Sequence, residues 1–527
     1  MCGCEKHPVV GNGTADGHQS ISESGSKPFS RRGFLAAAGV AGVAGAVTMT
    51  PVQFARAATT GSHTQTITGH FDIGVPDFVY VPVEVPAGVA QIDVSYSYNR
   101  PAVPAGVLGN ALDIGIFDER GTDLGKRAGF RGWSGGFRTS FSISNSDATP
   151  GYLPGPVNPG TWHIAFGPYT VAPSGLDWTL QITLTYGPPG PAFTPNYPPT
   201  SAKGRGRDWY RGDCHLHTVY SDGRRMPSEV AAGARAAGLD FITSTDHNTS
   251  SSHAAWGPFA GPDLLIITGE EATTRNGHYV ISGLPAGTWI DWRYRARDDE
   301  LAGFLEQIHH DGAIAVAAHP FATCLACCWK FGYDGMDAVE VWNGPWTADD
   351  EVAVQMWNGM LVEAARGAKR WIPAMGDSDA HSVPQVIGLP HNVVLADDLT
   401  TGAVLDGLTA GRTWIAESSS VDLSFSVTGG GASAGIGERL PVAPGDQVTV
   451  NCQVSGVPNG TVGFITDEGQ TLTQALDASG AGTVSWKTTA AVSAYVRAEA
   501  RHPVTSPNAD LPGAMAAMTN PIFLGRR

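Results

Sequence analysis

Asp213-Cys214-His215-Leu216-His217-Thr218 is the stretch on which the reading of this chain turns. Successive side chains of an extended backbone alternate between faces, so His215 and His217 project the same way and can reach one ion together. Working outward, the same residue types recur at the ends of short apolar runs. Ser221-Asp222-Gly223 follows at once, and Thr245-Asp246-His247-Asn248 closes the run at 239–245. Gly269-Glu270-Glu271 ends a third run, His278 follows in Gly277-His278-Tyr279-Val280, and His319-Pro320 closes the run at 313–318. Asp377-Ser378-Asp379-Ala380-His381 repeats the same-face spacing with a carboxylate and an imidazole.

Between these runs the pattern is helical. Residues 227–237 read as a helix stopped by Gly238, and 299–310 as another. Strands alternating with helices across 208–418 predict an α/β domain with a parallel sheet or barrel inside and helices outside. Ligand-type side chains at the carboxyl ends of successive strands lie where barrel enzymes place their active sites. The flanks have another texture. Residues 58–187 carry short period-two runs, such as Ile92-Asp93-Val94-Ser95-Tyr96-Ser97-Tyr98, between Gly and Pro turns, which predicts an all-β sandwich. A Pro/Gly-rich linker at 188–207 should be extended and fairly stiff. Residues 419–527 return to β texture and predict a second, immunoglobulin-like sandwich.

Composition narrows the function. A formal charge of −16 argues against a face for nucleic acid, which needs a basic surface. Small anionic substrates stay open, because bound metals neutralise charge locally. Ser30-Arg31-Arg32-Gly33-Phe34-Leu35, the small-residue apolar run after it and Ala55-Arg56-Ala57 resemble a twin-arginine (Tat) export signal over 1–57. The Tat export machinery is then a partner, and the mature protein is expected in the periplasm, at the cell surface or secreted, not embedded in a membrane. Seven cysteines fit no disulfide scaffold. Cys324-x-x-Cys327-Cys328 has no second pair at zinc-site spacing, so a local disulfide or plain burial is expected there.

Taken in order, HxH, SDG, TDHN, GxE, a following His, AHP and DxH resemble the PHP (polymerase and histidinol phosphatase) family over roughly residues 209–417. Tyr210-Arg211-Gly212-Asp213, Glu340-Val341-Trp342-Asn343 and Met375-Gly376-Asp377-Ser378-Asp379-Ala380-His381 are most similar to its carbaryl-hydrolase-like branch, as are Tyr495-Val496-Arg497-Ala498-Glu499 and Thr519-Asn520-Pro521-Ile522. The resemblance implies a distorted seven-stranded β/α barrel holding two to three divalent metals. It implies that His215, His217 and Asp379 bind the first, that Glu271 bridges it to a second completed by His278 and His319, and that Asp222, His247 and His381 hold a third. Asp222 stands where many relatives have His. Mixed nitrogen and oxygen ligands suit Mn²⁺, Zn²⁺ or Fe²⁺. Glu271 and Asp379 are preferred to the adjacent Glu270 and Asp377 on spacing, and Asp246 is expected to orient an imidazole.

The expected chemistry is hydrolysis of a small-molecule ester, with water shared between two metals as the nucleophile. A phosphomonoester or phosphodiester is the leading substrate, and a carbamate or carboxyl ester the alternative. Arg224, Arg225 and Lys330 lie in motif loops. Arg224 and Lys330 are the candidates to hold an anionic group, although solvent-facing charge explains them as simply. Trp342, Trp346 and Trp357 read either as the wall of an apolar pocket or as core. A third reading, a non-catalytic surface binding protein with structural metals, fits less well, because closed structural sites are rich in Cys.

Overall fold

The computed structural model describes residues 51, 53, 60–367, 369–505 and 512–525. Arg31, Arg32 and residues 55–57, on which the expectation of an export signal and its cleavage site rests, lie outside the described residues. No helix among the described residues is long and apolar enough to cross a membrane.

The N-terminal β texture forms two four-stranded sheets. One joins Gly61–Phe71, Leu176–Tyr186, Val89–Tyr98 and Ser140–Ser144, and the other Val79–Val85, Gly160–Thr170, Ala111–Phe117 and Phe130–Gly135. Period-two alternation decides what each face meets. Val79, Val81, Val83 and Val85 point inward from one sheet and Leu180, Ile182 and Leu184 from the other, forming one buried core. Each such side chain contributes roughly 1.5–3 kcal/mol when removed from water. Residues 188–199 then run without regular structure.

The metal-ligand motifs lie on one mixed sheet. Its strands are β1 (Asp208–Asp213), β2 (Phe241–Ser244), β3 (Leu265–Thr274), β4 (Gly277–Ser282), β5 (Ile314–Ala317), β6 (Ala338–Asn343), β7 (Ala374–Asp377), β8 (His391–Ala396) and β9 (Thr413–Ala416). Their order is β7-β6-β5-β4-β3-β2-β1-β8-β9. Four helices accompany them, α1 (Pro227–Ala236), α2 (Leu301–His310), α3 (Ala348–Ala365) and α4 (Thr401–Thr409). The helices at 227–237 and 299–310 therefore form within two residues of the boundaries expected.

The regular strand–helix alternation does not hold throughout. β1, β2 and β3 are parallel, as are β5, β6 and β7, but β4 is antiparallel to both its neighbours. The cause is local: β3 and β4 form a hairpin closed at Thr274 and Gly277, which leaves no room for a crossover helix. β8 is also antiparallel, to β1 and to β9. The sheet curls into a half-barrel, and no strand ladder pairs β7 with β8. Side chains bridge that seam instead: Gly376 N–H donates to Asn392 Oδ1 (3.1 Å) and Asn392 Nδ2 to Asp377 Oδ1 (2.8 Å). β7 is tied to other segments as well, Ala374 N–H donating to Asn520 Oδ1 (2.8 Å) and Cys214 N–H to Asp377 Oδ1 (2.6 Å).

Beyond β9 the same sheet continues into the C-terminal region through β13 (Met515–Thr519), β12 (Tyr495–Arg501), β10 (Thr461–Thr466) and β11 (Gly469–Ala475). A separate four-stranded sheet, including Asp422–Gly429 and Gln447–Ser455, packs on this extension. Their common core also takes in Val393 and Trp414 of β8 and β9. The C-terminal β region is thus continuous with the sheet that carries the motifs.

Candidate metal centre

Every metal-ligand motif found in the sequence arrives at one end of the curled sheet. His215 and His217 follow the carboxyl end of β1, His247 follows β2, and His319 follows β5. Asp379 and His381 follow β7. β4 runs the opposite way, so its first turn brings His278 to that same end, paired opposite Thr273 of β3. Glu271 lies within β3, and Asp222 on the loop before α1. A parallel bridge between Leu216 and Ala380, and another between His247 and Glu271, hold the segments in register. His319 and Asp379 adopt positive φ, 25° and 48°, a conformation that L side chains rarely take. Such strain persists only where the surroundings impose it, and it gathers at functional sites.

The nine predicted ligands come together. Glu271 Oε2 lies 3.2 Å from His215 Nε2, 3.3 Å from His217 Nε2 and 2.8 Å from His247 Nδ1. Its other oxygen, Oε1, meets His278 Nδ1 at 2.9 Å and His319 Nε2 at 3.2 Å. Asp379 Oδ1 lies 3.4 Å from His215 Nε2 and 3.1 Å from His217 Nε2. Asp222 Oδ1 lies 3.5 Å from His247 Nε2 and 3.3 Å from His381 Nε2. Four overlapping groups result, each with donor atoms close enough to surround one cation: His217, Asp222, His247 and His381; His215, His319 and Asp379; His215, His217 and Glu271; Glu271, His278 and His319.

Hydrogen bonding within the protein leaves this centre incomplete. Each of the nine residues has one buried nitrogen or oxygen with no hydrogen-bond partner: His215, His217, His247, His278 and His381 through Nε2, His319 through Nδ1, Glu271 through Oε2, and Asp222 and Asp379 through Oδ1. One such buried orphan costs about 1–3 kcal/mol. Four overlapping donor groups fit divalent cations, and six imidazoles with three carboxylates supply a mixed set of nitrogen and oxygen donors.

The carboxylates and imidazoles of the centre stabilise each other's charged forms: burial lowers His215 and His381, but Asp379 and Glu271 raise the first and Asp222 the second above the ordinary imidazole range, so a cation binding here would displace protons. Burial would push the Glu271 carboxyl up, but the imidazoles of His247, His215 and His278 outweigh it and hold it well below the usual range. Asp379 is held down against its own burial by His215 and His381. Burial lowers His278 to about 4, with Glu271 opposing, so its ring stays neutral and keeps a lone pair.

The structure separates adjacent carboxylates. Glu270 points to the other face of β3, where its Oε2 accepts from Ile290 N–H at 2.8 Å. Asp377 accepts from Cys214 N–H and, at 2.8 Å, from Asn392 Nδ2 in the seam. Asp246 does not reach an imidazole directly. It accepts from Thr218 N–H and Oγ (both 2.8 Å) and from Ser221 Oγ (2.7 Å), and Ser221 Oγ in turn lies 3.5 Å from His217 Nδ1. Its expected orienting role therefore passes through Ser221, because the loop 218–221 folds between carboxylate and ring.

Sequence reasoning assigned no role to Glu340, Asp213 or Asn343. Glu340 Oε1 accepts from His215 Nδ1 at 3.0 Å, while its Oε2 accepts from His319 N–H (2.7 Å) and Asn343 Nδ2 (3.0 Å). Asp213 accepts from Ser378 N–H and Oγ and from Gly388 N–H. A signal was present: Glu340 lies on a short apolar strand, as Glu271 does, and Asp213 precedes His215 by two residues on the same face.

A cleft of about 240 Å³ opens beside the centre, lined by Asp222, His247 and Arg224 on one side. Lys330 is not part of its wall; its ammonium lies 3.1 Å from Cys328 Sγ, on the segment folded back by the Cys324–Cys327 disulfide. Trp342 and Trp357 are also elsewhere, fully buried in the core, with Trp346 packed against it. The aromatic wall comes instead from Trp133, Trp292, Phe78, Phe137 and Tyr169.

No family model matches this chain. No curated protein matches it either. Among solved structures it is similar to a two-domain protein of Bacteroides vulgatus containing a predicted PHP-like metal-dependent phosphoesterase, at 16% identity and TM-score 0.33, covering 62% of this chain and 100% of that one. It is similar to an amidohydrolase from Chromobacterium violaceum, at 19% identity and TM-score 0.25, over 34% of this chain and 89% of that one. A proposed metal-dependent phosphoesterase of Bifidobacterium adolescentis matches at 17% identity and TM-score 0.25, over 40% of this chain and 96% of that one. Likenesses this distant leave the function to be argued from the residues of the chain itself.

Proposed function

We propose that this protein is a metal-dependent hydrolase of PHP type, that His215, His217, Asp222, His247, Glu271, His278, His319, Asp379 and His381 hold two to three divalent ions, and that its substrate is a phosphoester. The observation that carries the reading is the set of nine orphaned atoms, one on each of those residues. Divalent cations there would supply Lewis acidity and bring the pKa of water towards neutrality.

The remaining work falls to the chain. Glu340 accepts from Nδ1 of His215 and so keeps its Nε2 turned to the centre. Arg224, exposed where the cleft meets Asp222, is placed to bind an anionic group by charge-assisted hydrogen bonds. The sandwich closes the other side of the cleft and limits water around the reacting group.

A second reading, hydrolysis of a carbamate or carboxyl ester, is favoured by the aromatic wall, which suits an organic group better than an inorganic one. One panel separates the two: p-nitrophenyl phosphate, bis-p-nitrophenyl phosphate and a naphthyl carbamate, each with protein stripped of metal and restored with Mn²⁺, Zn²⁺ or Fe²⁺. Metal-dependent turnover of either phosphate, abolished by His217→Ala, is the expected result. Turnover of the carbamate alone would replace the leading reading with the second, and no turnover of any substrate would remove both. Export belongs to the same proposal: replacing Arg31 and Arg32 together by Lys should retain the protein inside the cell.

A further inference from the structure

The N-terminal sandwich is built into the site. On the strand Ala111–Phe117, alternation sends Leu112, Ile114 and Ile116 into the sandwich's own core. Asp113, Gly115 and Phe117 therefore face the other way. There Phe117 joins Phe130, Trp133 and Ala165 in a second core with Trp289 and Trp292 of the segment after β4. A sheet buried on both faces is fixed against the segment after β4, and an ion pair and a hydrogen bond reinforce the contact. Arg295 meets Asp77 through two 2.5 Å contacts, and Arg293 donates to Thr122 O at 3.0 Å.

Trp133 is the floor of the cleft, and two glycines put it there. A Cβ on Gly115 would stand 2.5 Å from the Trp133 ring, and one on Gly167 would stand 2.9 Å from it. Only without those carbons can the indole lie across both strands. Trp292 packs edge-on to it at 5.2 Å, and Phe78 lies at 5.9 Å.

Asp113 opens into this aromatic cleft. It is 9% exposed, and its Oδ1 is buried with no hydrogen-bond partner. Burial pushes its carboxyl up, and the Arg275 guanidinium opposes that only in part. A carboxylate with no donor is an expensive feature for a protein interior unless something that arrives later supplies one. On the cleft wall Arg275 lies over Tyr169, 4.2 Å from its ring centroid, and with Arg224 balances the carboxylates of Asp113 and Asp222 in the lining. A neutral ligand leaves that balance undisturbed.

We propose that this cleft is a subsite for the organic part of the substrate, taking a flat aromatic group with a neutral N–H or O–H donor that bonds Asp113. Only the word substrate rests on the hydrolase reading; the pocket and its ligand chemistry do not.

Indole and benzofuran have the same shape and differ in one N–H, so they test the idea directly. Their dissociation constants are measured by saturation-transfer NMR on the metal-loaded full chain, which requires no turnover. Indole is expected to bind at least about fivefold more tightly, the value of one hydrogen bond. Asp113→Leu should bring the two constants together without weakening benzofuran, and Trp133→Ala should weaken both. If Asp113→Leu does not fold, Asp113→Asn is used, and the ratio should fall to about two. Equal binding by the unaltered protein, no binding of indole, or a ratio that survives the change at Asp113 would overturn the subsite. Turnover of the ester panel without the indole preference removes the subsite and leaves the hydrolase reading standing. The preference without turnover does the reverse.

Discussion

His215 and Glu340 are joined by a 3.0 Å hydrogen bond from Nδ1 to Oε1, both fully buried, although 125 residues separate them in the chain. The bond fixes the tautomer, since a ring that donates through Nδ1 keeps a lone pair on Nε2. The same carboxylate also receives the His319 N–H, so one residue holds two others at the centre.

Glu340→Gln should therefore weaken metal binding while leaving all nine proposed ligands in place. The amide keeps one acceptor oxygen but loses the charge and the second acceptor. A loss of about 10–100-fold in metal affinity is expected, the usual size for removing a partner of a ligating imidazole. Competition with a chromophoric chelator measures it, and unchanged affinity would refute the positioning role.

Glu270→Gln and Glu271→Gln should differ sharply although the residues are neighbours. Burial pushes the Glu270 carboxyl well up and so favours its neutral form, for which an amide is a neutral replacement of the same shape. Its stability should change by less than about 1 kcal/mol, with metal content unaltered. Glu271 faces five imidazoles, and its amide would remove the charge that links the groups. Elemental analysis of the Glu271→Gln protein should show at least one equivalent of metal lost. Equal metal contents in the two variants would refute this assignment.

Removing the metals should destabilise the fold. Ions that bind the native state and not the unfolded chain add about 4 kcal/mol at a thousand times their dissociation constant. Without them the orphaned atoms remain buried. Chelator-treated protein should melt several degrees lower and recover when Mn²⁺ or Zn²⁺ is restored, as differential scanning calorimetry can record. An unchanged melting temperature would mean that the centre holds no ion.

Much of this site is legible in the sequence because it is local. His215 with His217, and Asp379 with His381, announce themselves by same-face spacing, and the GxE spacing picks Glu271 over Glu270. What escapes is contact between distant segments. Nothing within Glu340-Val341-Trp342-Asn343 says that its carboxylate meets His215. Lys330 looks like a motif-loop cation, yet its ammonium lies 3.1 Å from Cys328 Sγ and not in the cleft wall. The sandwich misleads for a subtler reason. Alternation in Ala111–Phe117 accounts for the burial of Leu112, Ile114 and Ile116 and on its own would leave the opposite face to solvent. That face is buried too, against another part of the chain, and only this contact gives Asp113 and Trp133 their setting. The hairpin of β3 and β4 is the matching case in the middle domain, where a tight turn replaced the helix that alternation predicts.

Acid should weaken the fold between about pH 6.5 and 4, and His253 should account for part of the slope. Its Nε2 meets Gly269 O at 2.7 Å and its Nδ1 accepts from Gly287 N–H at 3.0 Å, so a second proton would break a bond to the backbone. Burial accordingly pushes its pKa down to about 4, against a smaller opposing effect from Gly269 O. Between that value and the unfolded value of 6.5, the unfolded chain binds one proton more than the native state. Stability then rises with pH, is fully present above 6.5, and falls as pH drops towards 4. The whole interval is worth on the order of 3 kcal/mol. His391, also pushed to about 4 by burial, adds a second contribution over the same window. His253→Gln can keep one donor and one acceptor but does not titrate, so it should flatten the slope while lowering stability at pH 7.5. Urea unfolding of chelator-treated protein from pH 4 to 7.5 isolates this effect from proton competition with metals. A slope equal to that of the unaltered chain would mean that His253 is not the neutral strut between β3 and the segment after β4.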